Sequence, residues 1–357
     1  MNNKNMCKTL FLLPFLALFS CQSPTSLAQL FIYDSTDTFI HSLQMALEKK
    51  LSNGGIAYQP YYAERKQTTQ NEQTIEALSD SRTEILVMNT VDRLASSALI
   101  EKAQSKNVPI VFFNREPLAG DFSGEWASKN CYYVGSDPAV EGRLQAEIAD
   151  QIFGGKTAFA SSVYDKNHDG VVDVALLKGE RGHQDAEQRS EFCISKLRDL
   201  GYTVNILASA YCNWEKNVAE ETMKSLYSPK IELLFSNNDD MALGAINYLR
   251  QDLPAPSSIS GESSVASSSD SSSGDDLSFA ERFFPIIGVD DTETGQAAIN
   301  EGTLAGTVLN NAGKQANVID DLIEHILNGT AIPDYPANEV VPSENFYHVL
   351  GEIVRKK

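Results

Sequence analysis

The sequence predicts an α/β protein with two lobes, each a parallel-sheet sandwich with helices on both faces. Apolar runs of strand length alternate with amphipathic runs of helix length in both halves of the chain. This alternation favours parallel pairing, because each connecting helix lies against the sheet and buries its strands. The 357 residues are enough for two domains, and a hydrophobic content of 42% is normal for a protein with a buried core.

The elements follow one another in a regular order. The first strand pattern (30–34, LFIYD) precedes an amphipathic stretch (39–51) that Asp37 is placed to cap. Further helical patterns lie at 95–106 and 138–153. The other strand patterns of the first half are 84–89, 108–114 and 132–137. Those of the second half are 172–179, 204–210, 231–237, 283–290 and 304–310.

One segment departs from the alternation. Residues 255–277 are dominated by Ser, Gly and Asp, so they cannot bury enough apolar surface to offset the entropy of ordering. We expect a disordered insert there. The formal net charge of −19 disfavours a nucleic-acid partner, and with it a DNA-binding regulator, because such proteins carry basic faces.

The N-terminus has the pattern of a targeting segment. Lys4 and Lys8 precede an apolar stretch at 10–19 that is too short to span a bilayer. The string that ends at Ser20-Cys21 resembles a bacterial lipoprotein processing site. We therefore expect a signal peptide at 1–20, a lipidated Cys21, a polar tether at 21–27, and a location in the periplasm or at the cell-envelope surface. Ordinary secretory cleavage near Leu27-Ala28 is the alternative.

Three cysteines lie beyond these N-terminal segments. Cys131, Cys193 and Cys212 are an odd number, and their spacing is not that of metal ligands. An oxidising compartment permits one disulfide among them, and the sequence does not select the pair. Buried free thiols are the simpler expectation.

Residues 165–173 (DKNHDGVVD) have most of the pattern of a calcium-binding loop. Asp165, Asn167, Asp169 and Asp173 occupy side-chain ligand positions, and Val171 supplies a backbone carbonyl. Gly170 permits the sharp turn. The Glu that normally closes such a loop is absent, because that position falls in an apolar strand pattern. We therefore expect structural Ca²⁺ with a further carboxylate from elsewhere; the alternative is a surface turn that binds nothing.

Polar and aromatic side chains follow the ends of most predicted strands. Ligands of open α/β sheets bind beyond these carboxyl ends. The candidate ligand-binding residues are Asp37, Phe39, Asn114, His183, Asp185, Arg189, Trp214, Asn238, Asp290 and Asn310. They combine hydrogen-bond donors and acceptors with two aromatic rings, and no glycine-rich phosphate loop is present. Such a set suits a pyranose sugar, whose hydroxyls donate and accept while its C–H faces pack on rings.

Simpler roles and a rival activity compete with this interpretation. Asp37 can serve only as an N-cap, Trp214 can be core, and each Asn can be a turn former. A calcium-dependent glycosidase would use a pair of carboxylates from this set. Arg189 lies four residues after Asp185 and is expected to keep that acid ionised, which argues against a proton donor.

Several strings closely resemble the glucose/galactose-binding proteins of bacterial sugar uptake, which are type I periplasmic binding proteins. They are DTF (37–39), NVPIVFFNREP (107–117), YYVGSD (132–137), LLKGERGHQDAEQR (176–189), SNNDDMALGA (236–245), GVD (288–290) and GTLAGTVLNNA (302–312). The resemblance covers roughly residues 28–341. It implies a non-enzymatic receptor that delivers D-glucose or D-galactose to an ABC permease, and that also serves a chemoreceptor.

The resemblance also implies roles for individual residues. The ten candidates fall on the family's sugar-contacting positions, where Phe39 and Trp214 sandwich the ring and Asp37 lies at the fourth hydroxyl. Glu232 supplies the missing calcium ligand. Another sugar or a signalling molecule remains the alternative ligand for the same fold.

The family's architecture further implies a monomer whose lobes are joined by three hinge crossings. The N-terminal lobe would comprise 28–134 and 311–341, and the C-terminal lobe 137–309 and 343–357. The joints would lie near 135–136, 311–312 and 341–342.

Overall fold

The structure is a computed structural model that describes residues 27–118, 120–251 and 277–356. The predicted signal peptide, Cys21 and all of the predicted insert except Leu277 lie outside these ranges. The predicted tether is one residue too long, because Leu27 is the first residue of a strand. Within the described ranges, no helix combines the length and the apolar character needed to cross a bilayer.

The described chain alternates strands and helices as the sequence predicts. Its strands are β1 (Leu27–Ile32), β2 (Ala57–Tyr62), β3 (Thr83–Met88), β4 (Ile110–Phe113), β5 (Cys131–Ser136), β6 (Val171–Lys178), β7 (Thr203–Tyr211), β8 (Leu233–Ser236), β9 (Ile286–Ile287), β10 (Thr307–Leu309), β11 (Val340–Ser343), β12 (Phe346–Val349) and β13 (Glu352–Val354). Its helices are α1 (Thr38–Gly54), α2 (Gln67–Ala77), α3 (Ser96–Ser105), α4 (Ala127–Asn130), α5 (Pro138–Phe153), α6 (Lys156–Phe159), α7 (Gln184–Asp199), α8 (Lys216–Leu226), α9 (Asp239–Gln251), α10 (Phe279–Arg282), α11 (Glu293–Glu301) and α12 (Ala312–Asn328).

Two separate sheets confirm the predicted α/β fold. The N-terminal lobe contains a seven-stranded sheet in the order β11-β12-β5-β4-β3-β1-β2. The C-terminal lobe contains a four-stranded sheet in the order β7-β6-β8-β9, and a bridge between Ile287 and Gly306 continues it towards the β10-β13 pair. All of the pairings are parallel except β11 with β12 and β10 with β13, which are antiparallel. Strand β2 was not predicted; it is an edge strand and contains Pro60, which is tolerated at an edge.

Helices cover both faces of each sheet. On one face of the N-terminal sheet, Leu43 of α1 and Leu322 of α12 share a core, and on the other face Leu99 of α3 is buried. In the C-terminal lobe, Leu243 of α9 and Leu197 of α7 belong to separate cores. This two-sided coverage explains why the strand patterns are nearly continuous apolar runs.

The chain crosses between the lobes three times. It passes from β5 to α5 at 136–138, from β10 to α12 at 310–312, and from β12 to β13 at 350–351. The third crossing was predicted at 341–342, and residues 343–349 were assigned to the wrong lobe. The reason is the β11–β12 hairpin, whose second strand pairs in parallel with β5 and so extends the N-terminal sheet.

The lobes contact each other across the cleft that separates the two sheets. Arg115 Nη2 donates to Glu180 Oε2 at 2.7 Å, and Thr38 Oγ1 donates to Asp240 Oδ2 at 2.7 Å. Arg65 pairs with Glu215 on the opposite lobe. These bonds hold the cleft closed around the residues described next.

Candidate ligand-binding site

A cavity lies in the cleft, where the carboxyl ends of strands from both sheets face each other. The space between its walls, including the part open to solvent, is about 340 Å³. The lining residues are Tyr33, Asp37, Phe39, Asn114, Arg115, His183, Asp185, Arg189, Trp214, Asn238, Asp290 and Asn310. All ten candidates predicted from the sequence therefore line one cavity, although they are as far apart along the chain as Asp37 and Asn310.

The backbone at three of these positions adopts a conformation that side chains rarely take. Asn114, Trp214 and Asp290 have φ angles of 61°, 68° and 112°. Such angles are uncommon for residues other than glycine and cluster at functional sites, where the surrounding structure holds them. Here each one turns the chain at the end of a strand and directs a side chain to the cavity wall.

Two aromatic side chains form part of the wall. Phe39 comes from the first turn of α1 and is 8% exposed. The Trp214 ring lies edge-on to the His183 ring, with centroids 5.0 Å apart. Gly179 packs behind Trp214 so closely that a Cβ there would lie 2.2 Å from the ring. Both rings face one cavity, as stacking on a single ligand requires.

The most buried polar group in the wall is Arg189. Its Nε donates to Glu141 Oε2 at 2.7 Å, its Nη1 donates to the Asn237 carbonyl at 2.8 Å, and its Nη2 donates to Asp185 Oδ2 at 3.3 Å. Burial raises the pKa of Asp185, and Arg189 offsets this effect only in part. Arg189 acts in the direction that the sequence analysis expected, because its charge lowers the pKa of Asp185, although desolvation is the larger influence.

His183 is neutral in this environment. Burial lowers its pKa well below the usual range, and the nearby Arg115 and Arg189 lower it further. Its Nδ1 accepts the backbone N–H of Asp185 at 3.2 Å, so the ring proton lies on Nε2. His183 therefore offers a neutral N–H donor at the cavity wall.

Asp290 and Asn238 of the C-terminal lobe, with Asn310 at the second crossing, add further polar groups to the cavity wall. Asn310 Nδ2 donates to Asp290 Oδ1 at 3.2 Å, and Gln315 Nε2 fixes the Asn310 amide by donating to Oδ1 at 2.7 Å. Burial raises the pKa of Asp290 well above its usual range. Asn238 donates to the Trp214 carbonyl at 3.1 Å. The Asn238 side chain therefore lines the cavity and also supports the backbone that carries the Trp214 ring.

Asp37 caps a helix, which is the simpler role considered above, and it also lines the cavity as predicted. Its Oδ1 caps α1 by accepting the Ile40 N–H at 2.9 Å, and its Oδ2 accepts the Tyr33 hydroxyl at 2.6 Å. Tyr33 and Arg115 are the two lining residues that the sequence analysis missed. Tyr33 looked like an ordinary strand residue, whereas Arg115 directly follows Asn114 at a strand end and carried the same positional signal.

Some buried polar atoms in the wall have no partner. They include Asp185 Oδ1 and Arg115 Nε. Arg115 is only 4% exposed, and its guanidinium lies 4.1 Å from the centroid of the Tyr33 ring. Both residues line the cavity, and a buried polar atom that stays unpaired costs free energy.

The predicted calcium loop is anchored by buried carboxylates. Asp165 is fully buried, and its two oxygens accept the N–H groups of Asp169 at 3.2 Å and Gly170 at 3.0 Å. Gly170 has a φ of 73°, as the sharp turn requires. Glu232 reaches the loop from the start of the β8 segment and accepts the Lys166 N–H at 2.7 Å and the Asp173 N–H at 3.0 Å.

Other predicted ligands bond to neighbouring groups. Asn167 Nδ2 donates to Asp169 Oδ2 at 3.0 Å, and Asn205 donates to Asp173 Oδ1 at 2.7 Å. Val171 lies at the start of β6. Across 27–118, 120–251 and 277–356, no cluster of three or more His, Cys, Asp or Glu side chains is arranged to hold a metal ion. The oxygen-rich donor set is of the kind that suits a hard cation.

Together, the two lobes and the polar, aromatic cavity between them define a protein that encloses a small ligand. The model of the periplasmic binding protein domain matches residues 28–331. The chain belongs to this family. Its members bind ligands without transforming them, so the expectation of a non-enzymatic protein is confirmed.

Comparisons with individual proteins agree with this assignment. The chain is 30% identical over 303 residues to a D-galactose/methyl-galactoside binding periplasmic protein from Haemophilus influenzae, covering 84% of this chain and 80% of that one. It is 24% identical over 236 residues to a ribose import binding protein from Escherichia coli, covering 66% and 62% of the two chains. A periplasmic solute binding protein from Actinobacillus succinogenes, solved with D-allose, has a TM-score of 0.68 at 18% identity, with 92% and 97% covered, and shows the shared fold.

Proposed function

We propose that this protein binds a hexose, D-galactose or D-glucose, between its lobes and delivers it to an ABC permease. The observation that carries the proposal is the single cavity in which two aromatic rings and buried Asp, Asn and Arg side chains converge. A pyranose has apolar faces for Phe39 and Trp214 and a perimeter of hydroxyls for the polar wall. Asp185 Oδ1 accepts a hydroxyl hydrogen, while Arg115 Nε and His183 Nε2 donate to hydroxyl oxygens.

The relatives support a sugar and leave its identity open. The Haemophilus protein is named for galactose and the Escherichia protein for ribose. The two aromatic side chains of the cavity, Phe39 and Trp214, support the larger ring, which offers an apolar face to each of them. Closure transmits a signal only if the closed arrangement binds the sugar better than the open one. A permease and a chemoreceptor would both recognise the closed lobes.

Isothermal titration calorimetry with D-galactose, D-glucose and D-ribose tests the proposal. We expect micromolar or tighter binding of at least one hexose and weaker binding of ribose. Trp214→Ala should raise Kd about 30-fold, the effect of roughly 2 kcal/mol at a buried aromatic contact. Trp126→Ala is the matched control, because that ring lies on the N-terminal lobe and bonds to Asn107. No heat with any hexose would refute the proposal.

A second titration addresses the choice between epimers. Asp37→Asn keeps a residue that caps helices well, so α1 should remain stable. The resemblance implies that Asp37 contacts the fourth hydroxyl, where glucose and galactose differ. The substitution should therefore change the ratio of the two Kd values. An unchanged ratio would remove Asp37 from the specificity determinants.

We also propose that the loop 165–173 and Glu232 bind Ca²⁺ and stabilise the C-terminal lobe. The support is the direct contact between Glu232 and the loop backbone, which no local sequence pattern requires. The melting temperature should fall on chelation and recover with added Ca²⁺, because a ligand that binds only the folded state stabilises it. Glu232→Gln should abolish the recovery, whereas the exposed Glu221→Gln should not. A melting temperature that chelation leaves unchanged would refute the calcium site.

We further propose that the chain is anchored to the cell envelope through a lipid on Cys21, because of the processing-site pattern at 18–21. Mass spectrometry of the mature N-terminal peptide from membranes tests this directly. A diacylated Cys21 supports the anchor, and a free N-terminus near Ala28 contradicts it. Cys21→Ser should release the protein into the soluble periplasmic fraction.

A further inference from the structure

Glu141 lies at the junction of the ligand cavity and the chain crossings, although it does not line the cavity. It belongs to the first turn of α5, which begins directly after the first crossing. The side chain is fully buried. A buried carboxylate is costly unless it is paired, so its partners indicate why it is there.

These partners come from three different parts of the molecule. Glu141 Oε2 accepts Arg189 Nε at 2.7 Å and the hydroxyl of Ser136 at 3.2 Å. Ser136 is the last residue of β5 in the N-terminal lobe, so this hydrogen bond spans the first crossing. The side chain also packs at the third crossing, where a Cβ on Gly351 would lie 3.3 Å from Glu141 Cγ. One carboxylate therefore contacts a cavity residue and two crossings.

We propose that Glu141 is a positioning residue that couples Arg189 in the hexose site to the first crossing through Ser136. This inference rests on the proposed hexose-binding function. Arg189 is fixed for the sugar by the charge-assisted bond to Glu141, and rotation of the lobes about 136–138 moves Ser136 relative to the same oxygen. The sugar, by holding Arg189, favours the lobe arrangement in which both bonds form.

A second pair between the same two helices provides a control. Glu147 of α5 pairs with Lys196 of α7 at 2.9 Å, but both side chains are partly exposed and neither contacts a crossing or the cavity. A general role in joining α5 to α7 is common to both pairs. A link to the crossing is present only at Glu141.

The test compares Glu141→Gln, Ser136→Ala and Glu147→Gln with the wild type. Calorimetry with D-galactose and D-glucose gives Kd, and small-angle X-ray scattering gives the contraction of the radius of gyration at saturating hexose. Glu141→Gln keeps the side-chain shape and removes the charge, so Kd should rise about tenfold, as for loss of a charge-assisted bond. Ser136→Ala keeps the Arg189 pair and should raise Kd about threefold. Both variants should contract less than the wild type, and Glu147→Gln should match it.

Three results would overturn the inference: Kd for Glu141→Gln within about twofold of wild type, an equal effect of Glu147→Gln, or full contraction in both Glu141→Gln and Ser136→Ala. Thermal melting checks that each variant is folded. If Glu141→Gln does not fold, the Kd and the contraction of Ser136→Ala test the inference. Wild-type protein that binds no hexose would overturn the proposed function as well. Hexose binding and contraction that are the same in all four proteins overturn only the role of Glu141.

Discussion

Replacement of Gly179 by Ala tests whether the position of the Trp214 ring controls ligand binding. No unusual φ is involved at Gly179, so alanine adds only a methyl group to the backbone. That Cβ would lie 2.2 Å from Cη2 and Cζ2 of Trp214. Because carbon atoms in contact are separated by about 3.5 Å or more, the ring must move by roughly 1.3 Å. Trp214 lines the cavity and Gly179 does not, so displacement of the ring changes the shape of the cavity wall.

The expected effect follows from the cost of overpacking. Such steric insertions cost about 1–3 kcal/mol, and a displaced ring also loses its stacking geometry. We expect Kd for the hexose to rise about 10- to 100-fold. Calorimetry measures Kd, and tryptophan emission on titration reports the ring, since the chain has two Trp and Trp126 is remote.

Gly120→Ala is the matched control. A Cβ at Gly120 meets no atom within 4 Å, so the same chemical change has no steric consequence. Its Kd should equal that of wild type. If Gly179→Ala binds the hexose within about twofold of wild type and shows the same emission change, the Trp214 ring does not determine affinity, and the argument from stacking fails.

Three further predictions concern buried groups. Burial raises the pKa of Asp239 to about 7, above its value in the unfolded chain, so its contribution to stability is present below about pH 4 and is lost as pH rises towards 7. Asp239→Asn should flatten this part of the stability profile, measured by urea unfolding between pH 4 and 8; an unchanged profile would contradict the assignment. Glu180→Gln leaves the buried Arg115 without a charged partner on the opposite lobe and should raise the hexose Kd about 3- to 10-fold by calorimetry, whereas an unchanged Kd would mean that this charge pair does not favour closure. Burial raises the pKa of the described thiols, so iodoacetamide should modify none of them before unfolding, as peptide mass spectrometry would show; modification in the folded state would contradict their burial. These thiols are Cys131, Cys193 and Cys212.

The sequence predicted the cavity well because its signal is local. A polar or aromatic residue directly after a buried strand stands out, and the carboxyl ends of parallel strands meet at one edge. Asn114, Trp214 and Asp290 were found in this way. Tyr33 was missed because it directly continues an apolar strand pattern, and nothing in the sequence shows that its hydroxyl bonds to Asp37.

Features that depend on distant pairing were not predictable from local pattern. The strands at 340–354 are short, follow one another without a helix, and change sheet at 350–351. The lobe to which each of these strands belongs depends on the strand with which it pairs, and this pairing is determined only when the sheets assemble. Glu141 was missed for a similar reason, since an acidic residue in a first helical turn is ordinary and its burial arises from packing against Arg189.

The bonds across the cleft also bear on kinetics. Phe39, Asp185 and Asp290 are all less than 9% exposed, so a ligand between them would be largely shielded from solvent while the lobes touch. Its escape would then be expected to involve separation of Arg115 from Glu180 on the opposite lobe. The residence time of any occupant is therefore governed largely by how often the two halves part, and ligands of unequal affinity would differ mainly in how strongly they slow that opening.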